Sequence, residues 1–91
     1  MSAPTVYTVH VTHRVERELR RLSQDIIRRI NAIFEQLERN PRPHGVVKLT
    51  GQTGSHWRIR VGMYRILYQI DDQRRRIDVY RIKHRREVYR S

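Results

Sequence analysis

The chemistry this sequence could perform rests on three arginines and a chain end. From His56 to Ile70 it reads HWRIRVGMYRILYQI. Trp57 to Val61 alternate apolar and polar, Gly62-Met63 can supply the two central residues of a turn, and Tyr64 to Ile70 continue extended, which predicts a β-hairpin. Glycine at the first loop position suits a type II′ turn. Val61 then pairs with Tyr64, Ile59 with Ile66 and Trp57 with Tyr68, forming a core face. On the other face Arg60 sits opposite Arg65, and Arg58 lies across from Leu67 and diagonal to Arg65. Like charges directly opposed on a sheet are destabilising. Guanidiniums kept there, beside a chain end reading His84-Arg85-Arg86-Glu87-Val88-Tyr89, point to an anion held between them.

A phosphodiester fits, because arginine's planar fork binds phosphate bidentately and stacks on bases. Cleaving RNA with side chains alone takes a group to accept the 2′-hydroxyl proton, cations to hold the charge on the phosphorane oxygens, and a group to protonate the leaving 5′-oxygen. Arginine suits the second role and is a poor proton carrier, since its pKa lies above about 12. Tyr89, His84, His56 and Glu87 are candidates for proton transfer. Adjacent guanidiniums would lower a tyrosine from its usual value of about 10. Plainer roles stand beside these: Tyr89 as a terminal aromatic anchored on the core, His84 as an ordinary exposed histidine. Five scattered histidines without cysteine or an HExxH motif make no zinc site. There is no Walker loop, GxGxxG or nucleophile elbow, so neither metal nor cofactor is expected.

Charge agrees with a polyanion partner. Lys+Arg 20 against Asp+Glu 9 gives +11, with a pI near 11.4. Only Lys48 and Lys83 are lysines, so 18 of the 20 cations are arginine. Residues 56–91 carry 11 basic and 4 acidic side chains, against 9 and 5 in residues 1–55, which weights the electrostatic footprint toward the C-terminal half. A bias toward arginine codons would also raise the arginine count, and accounts better for the helical arginines than for those on strands. The absence of cysteine excludes disulfides and fits a reducing cytoplasm. The N-terminus shows neither a signal peptide nor a membrane span. At 91 residues, one domain over 1–91 is expected, with a single modest core.

The elements that must position these residues follow in order. Residues 5–11 alternate and read as a strand. Thr12 is a natural N-cap for a helix from His13 to about Arg21, and Ser23 caps a second carrying Ile26, Ile27, Ile30, Ile33, Phe34 and Leu37, which ends near Arg39-Asn40 before Pro41. So short a joint makes an antiparallel helical hairpin. Its arginines (Arg14, Arg17, Arg20, Arg21, Arg28, Arg29) fall mainly off the apolar stripe and read as a solvated face. Residues 41–55 read as an irregular connection, 71–75 as a polar turn and Arg76 to Ile82 as a last strand. In that strand Ile77 and Val79 point one way and Tyr80 and Ile82 the other, which a bulge near Arg81 or coverage on both sides would reconcile. The order β-α-α-β-β-β predicts an α+β fold: a small antiparallel sheet with the helical hairpin on one face, and Arg58, Arg60 and Arg65 on the open one.

The run KLTG at 48–51, the pattern from Trp57 through Gly62-x-Tyr64-Arg65-Ile66-x-Tyr68 to Asp71, and His84-Arg85-Arg86-Glu87-Val88-Tyr89 together resemble the RelE family of type II toxins, the messenger-RNA interferases of toxin–antitoxin pairs. The likeness spans nearly the whole chain. It implies a RelE-like fold and a metal-independent, ribosome-dependent endoribonuclease. Such an enzyme cuts messenger RNA in the A site of the 70S ribosome, leaves a 2′,3′-cyclic phosphate and inhibits translation. It also implies a cognate antitoxin that wraps the toxin, operator DNA reached through that complex, and a cytoplasmic location. By position, Arg60 and Arg65 would grip the scissile phosphate, Tyr89 would take the 2′-hydroxyl proton, and Arg85 would stabilise or protonate the leaving group. Arg58, Lys48, His84 and Arg86 would bind RNA. Well-known members have lysines where this chain has Arg58 and Arg60, which keeps the charge and loses a proton carrier.

Two other functions compete. A ParE-like toxin would bind DNA gyrase without acting on RNA; that branch usually lacks the terminal arginine–tyrosine cluster. A plain nucleic-acid-binding module would use its arginines only to hold phosphates.

Overall fold

Two hydroxyl caps set where the helices begin. In the computed structural model, which describes residues 6–51 and 55–84, Thr12 Oγ1 accepts from the Val15 N–H at 3.2 Å and opens helix α1, His13–Arg20. Ser23 Oγ does the same for Ile26 at the start of helix α2, Gln24–Arg39. Each cap satisfies an N–H that the first helical turn leaves without a partner.

The strands are β1 Thr8–Val11, β2 Val47–Lys48, β3 His56–Val61, β4 Tyr64–Asp71 and β5 Arg76–His84, in one sheet of order β1-β5-β4-β3-β2. The expected α+β architecture holds, with three differences of detail. First, β1 runs parallel to β5 while the other pairs are antiparallel. Second, the connection expected to be irregular contains the short strand β2, antiparallel to β3. Third, pairing of the first strand starts at Thr8, because the Tyr7 N–H donates instead to the Glu38 carbonyl at the end of α2.

The core lies between sheet and helices. Val15, Ile30 and Leu37 from the helices and Ile66, Tyr68, Ile77 and Val79 from the strands have no exposed surface. Burying each such side chain contributes about 1.5–3 kcal/mol before entropic costs. Tyr68 is accommodated because its hydroxyl donates to the Pro41 carbonyl at 2.9 Å. Burial pushes this phenol up to about 12.

The ambiguous facing of β5 resolves as a bulge. Tyr68 pairs with Val79 while Leu67 pairs with Arg81, so Tyr80 is the extra residue. Ile77 and Val79 before the bulge and Ile82 after it are all buried. One inserted residue therefore resets a period of two.

Candidate functional site

The hairpin has the expected register. Val61 pairs with Tyr64, Ile59 with Ile66, Trp57 with Tyr68, Arg60 with Arg65 and Arg58 with Leu67. Gly62 has φ +57° while Met63 is not in the positive-φ region, as a type II′ turn requires and a type I′ turn does not.

Hydrogen-bond parity then fixes how close the arginines come. The Ile70 N–H donates to the Ser55 carbonyl at 3.0 Å. Counting by twos from that pair makes Ile59–Ile66 and Val61–Tyr64 hydrogen-bonded pairs and Arg60–Arg65 a non-hydrogen-bonded one. Cα atoms in such a pair are only about 4.5 Å apart and the side chains closest. On the far side of β4, Arg65 pairs with Lys83. The Ile82 N–H points away from β4, to Glu18 Oε1 at 2.9 Å, so Arg65–Lys83 is a hydrogen-bonded pair with Cα atoms about 5.5 Å apart.

Three cations, Arg60, Arg65 and Lys83, thus form one row across β3, β4 and β5 on the face away from the helices. Arg58 flanks it. Burial, and after it the charges of Arg65 and Arg60, hold the Arg58 guanidinium below its usual range. Two residues further along β3, His56 Nδ1 lies 3.0 Å from the Tyr80 hydroxyl, and burial raises this phenol. A phosphate bridging the row would meet donors from three strands held at fixed spacing. Preorganised cations of this kind are what charge stabilisation in phosphoryl chemistry calls for.

Other expected residues fall elsewhere. Lys48 pairs with Trp57, whose ring faces the helical side, and its Nζ lies 5.9 Å from that ring's centroid. The structure therefore does not bring Lys48 to the arginine row. Arg42, which the sequence did not single out, is 5.2 Å from the same ring and pairs bidentately with Asp72 at 2.8 and 3.2 Å. Tyr7 also donates to Asp72, at 2.6 Å. The hydrogen bonds from Arg42 and then from Tyr7 hold Asp72 below the usual carboxylate range. His84 pairs with Tyr64 and packs edge-on against it at 5.1 Å, on the helical side and not on the face of the row. Arg85, Arg86 and Tyr89 lie outside the described residues. Lys83 could have been found from the sequence by carrying the suggested bulge through to the end of β5.

A helical hairpin over one face of a five-stranded sheet, with a cationic row on the other, defines a RelE-like fold. A family profile described as "ParE toxin of type II toxin-antitoxin system, parDE" matches residues 9–89. The chain belongs to this family, within the RelE/ParE superfamily, and is a RelE-like toxin of the type II toxin–antitoxin class. Toxin RelG of Mycobacterium tuberculosis H37Rv is 33% identical over 85 residues, spanning 92% of this chain and 97% of that protein. An archaeal RelE-RelB complex from Pyrococcus horikoshii OT3 matches with TM-score 0.81 at 28% identity, over 88% of this chain and 96% of the matched chain. The RelBE2 toxin-antitoxin complex of Mycobacterium tuberculosis matches with TM-score 0.76 at 31% identity, over 88% and 99% of the two chains.

Proposed function

We propose that this toxin is a ribosome-dependent endoribonuclease that cuts messenger RNA in the A site and so inhibits translation. The observation that carries the proposal is the Arg60–Arg65–Lys83 row with Arg58 beside it, on a sheet face that neither α1 nor α2 covers. The similarity to toxin RelG and to the RelE toxins supports it.

In the proposed reaction the 2′-oxygen attacks the adjacent phosphorus, the bond from phosphorus to the 5′-oxygen breaks, and a 2′,3′-cyclic phosphate remains. The 2′-proton leaves to a base and the 5′-oxygen gains one from an acid. Arg60 and Arg65 hold the non-bridging oxygens as their charge grows, and Lys83 extends that grip from β5. Tyr89 and Arg85 are assigned the proton-transfer and leaving-group roles through the family likeness, with Arg86 as an RNA contact. His84 and Lys48, expected as RNA contacts, stand on the other face of the sheet and take no part in this grip.

The relatives were solved as complexes with antitoxins, and we assign this chain a cognate antitoxin that neutralises it in the cytoplasm. Operator DNA would then be reached through that complex. The family profile is described by the ParE branch, so gyrase inhibition is the second reading.

The test is cleavage of message on programmed 70S ribosomes by the wild type and by Arg65→Ala, beside a supercoiling assay with gyrase. Cleavage by the wild type and not by the variant is expected. Intact message with wild-type protein overturns the proposal, and loss of supercoiling in its place establishes the second reading.

A further inference from the structure

Where α1 meets the end of β5 the structure forms a second basic site. A cleft of about 420 Å³ lies between α1 and the adjoining ends of β4 and β5, lined by Arg14, Arg17, Arg21, Arg81, Tyr64 and His84 among others. The helical arginines read from sequence as a solvated face are exposed, and Arg14, Arg17 and Arg21 among them also line this cleft.

Among the described residues the cleft is strongly basic. Glu18 is the one carboxylate among its lining residues, and it is already engaged. Its Oε2 accepts from Arg81 Nε at 2.9 Å and lies 3.8 Å from Arg14 Nε, while its Oε1 takes the Ile82 N–H. Neither Arg17 nor Arg21 has an ion-pair partner among the described residues. Four guanidiniums thus line a cavity whose described residues include a single carboxylate, already engaged. The T-shaped Tyr64–His84 pair forms part of its wall. The volume lies within the usual range for small-ligand sites.

We propose that this cleft is a second RNA-binding site, in which Arg17 and Arg21 hold backbone phosphates and Tyr64 and His84 offer ring surface to a base. An aromatic wall beside arginines suits a nucleotide, since bases stack on such rings while guanidiniums take the phosphates. An acidic peptide would use the charges and leave the rings idle. Tyr64 and His84 stand on the helical side, whereas Arg81 alternates with Ile82 on the row's side of β5 and turns to Glu18 at the open edge of that strand, so the cleft lies at the sheet edge. The inference rests on the proposed function only in taking RNA as the partner, and its test needs no cleavage.

The experiment measures binding of a fully 2′-O-methylated single-stranded 15-mer, which cannot be cut, by fluorescence anisotropy across a salt series. The proteins are the full chain and Arg60→Ala/Arg65→Ala, each with and without Arg17→Ala/Arg21→Ala. Each phosphate contact on a single strand contributes about 0.7 to the slope of log affinity on log salt. Arg17→Ala/Arg21→Ala should lower that slope by about 1.4 in both backgrounds. An equal-charge control, Arg20→Gln/Arg39→Gln, should lower it much less. An unchanged slope in the cleft variant, or an equal loss in the control, overturns the site. So does an acidic 15-residue peptide that binds in a cleft-dependent way while the oligonucleotide does not, since that outcome makes the occupant a protein. A toxin that binds the probe through the cleft but never cuts message would refute the proposed activity and leave this inference standing.

Discussion

Replacing Arg65 by threonine should make the protein more stable and inactive. Arg65 has a like charge directly opposite on each side, Arg60 on β3 and Lys83 on β5. Each such pair costs about 0.2–1 kcal/mol, so removing the shared member relieves about 0.4–2 kcal/mol. Threonine keeps the strand preference but loses the packing of the long arginine stem, which offsets part of the gain. A net stabilisation of about 0.5–1 kcal/mol is expected, equivalent to a rise in Tm of about 2–8 °C for a domain of this size. The repulsion is electrostatic and partly exposed, so the gain should shrink as the Debye length falls from about 10 Å at 0.1 M to about 3 Å at 1 M salt. Thermal unfolding followed by circular dichroism at 20 mM and 1 M NaCl measures both quantities. In the ribosome assay the same variant should lose about 100-fold to 1,000-fold in rate, the usual cost of one charge-stabilising donor. A variant less stable than wild type at low salt, or a gain that salt does not touch, would refute the idea that these cations are held together at a cost.

Three further outcomes follow from the same geometry. Lys83→Met should slow message cleavage by about tenfold or more while Lys83→Arg largely restores it, because the proposed role needs charge at that register position; equal rates for wild type and Lys83→Met would remove Lys83 from the row. Gly62→Ala should destabilise by about 1–3 kcal/mol in urea unfolding with an unchanged m-value, since φ is +57° there and the added Cβ would also come 3.3 Å from Arg29. Asp72→Asn should cost about 0.5–1 kcal/mol at neutral pH, the upper range for an exposed pair with bidentate geometry. The folded-state pKa of Asp72 lies below its ordinary value of 3.8. Its contribution is therefore fully present above that pH and is lost as pH falls through the lower folded value. The two proteins should converge in stability only in that acid range.

What could be read from sequence was local. The hairpin register follows from a two-residue loop and an alternation of period two, so the opposition of Arg60 and Arg65 was visible before any coordinates. Thr12 and Ser23 announce both helices, because a hydroxyl before an apolar stripe has one common use. The rest depends on contacts between distant parts of the chain. The face occupied by Lys83 turns on a single bulge at Tyr80, which the sequence places only approximately. Lys48 lies with Trp57 because β2 forms, and a two-residue strand among proline, glycine and threonine leaves no periodic trace. The cleft needs α1 to lie against the end of β5, and nothing in the spacing of Arg14, Arg17 and Arg21 distinguishes a lined cavity from a wetted surface.

The parallel pairing of β1 with β5 sets an order of events during synthesis. β1 has no ladder to join until β5 has been made, so closing that pair waits on contacts between strands distant in sequence, the slow kind in folding. Until then Lys83 is missing beside Arg65 and α1 has no β5 to lean on. A growing chain therefore holds neither the finished row of cations nor the second basic cleft, and both come into being together only once β5 has been made.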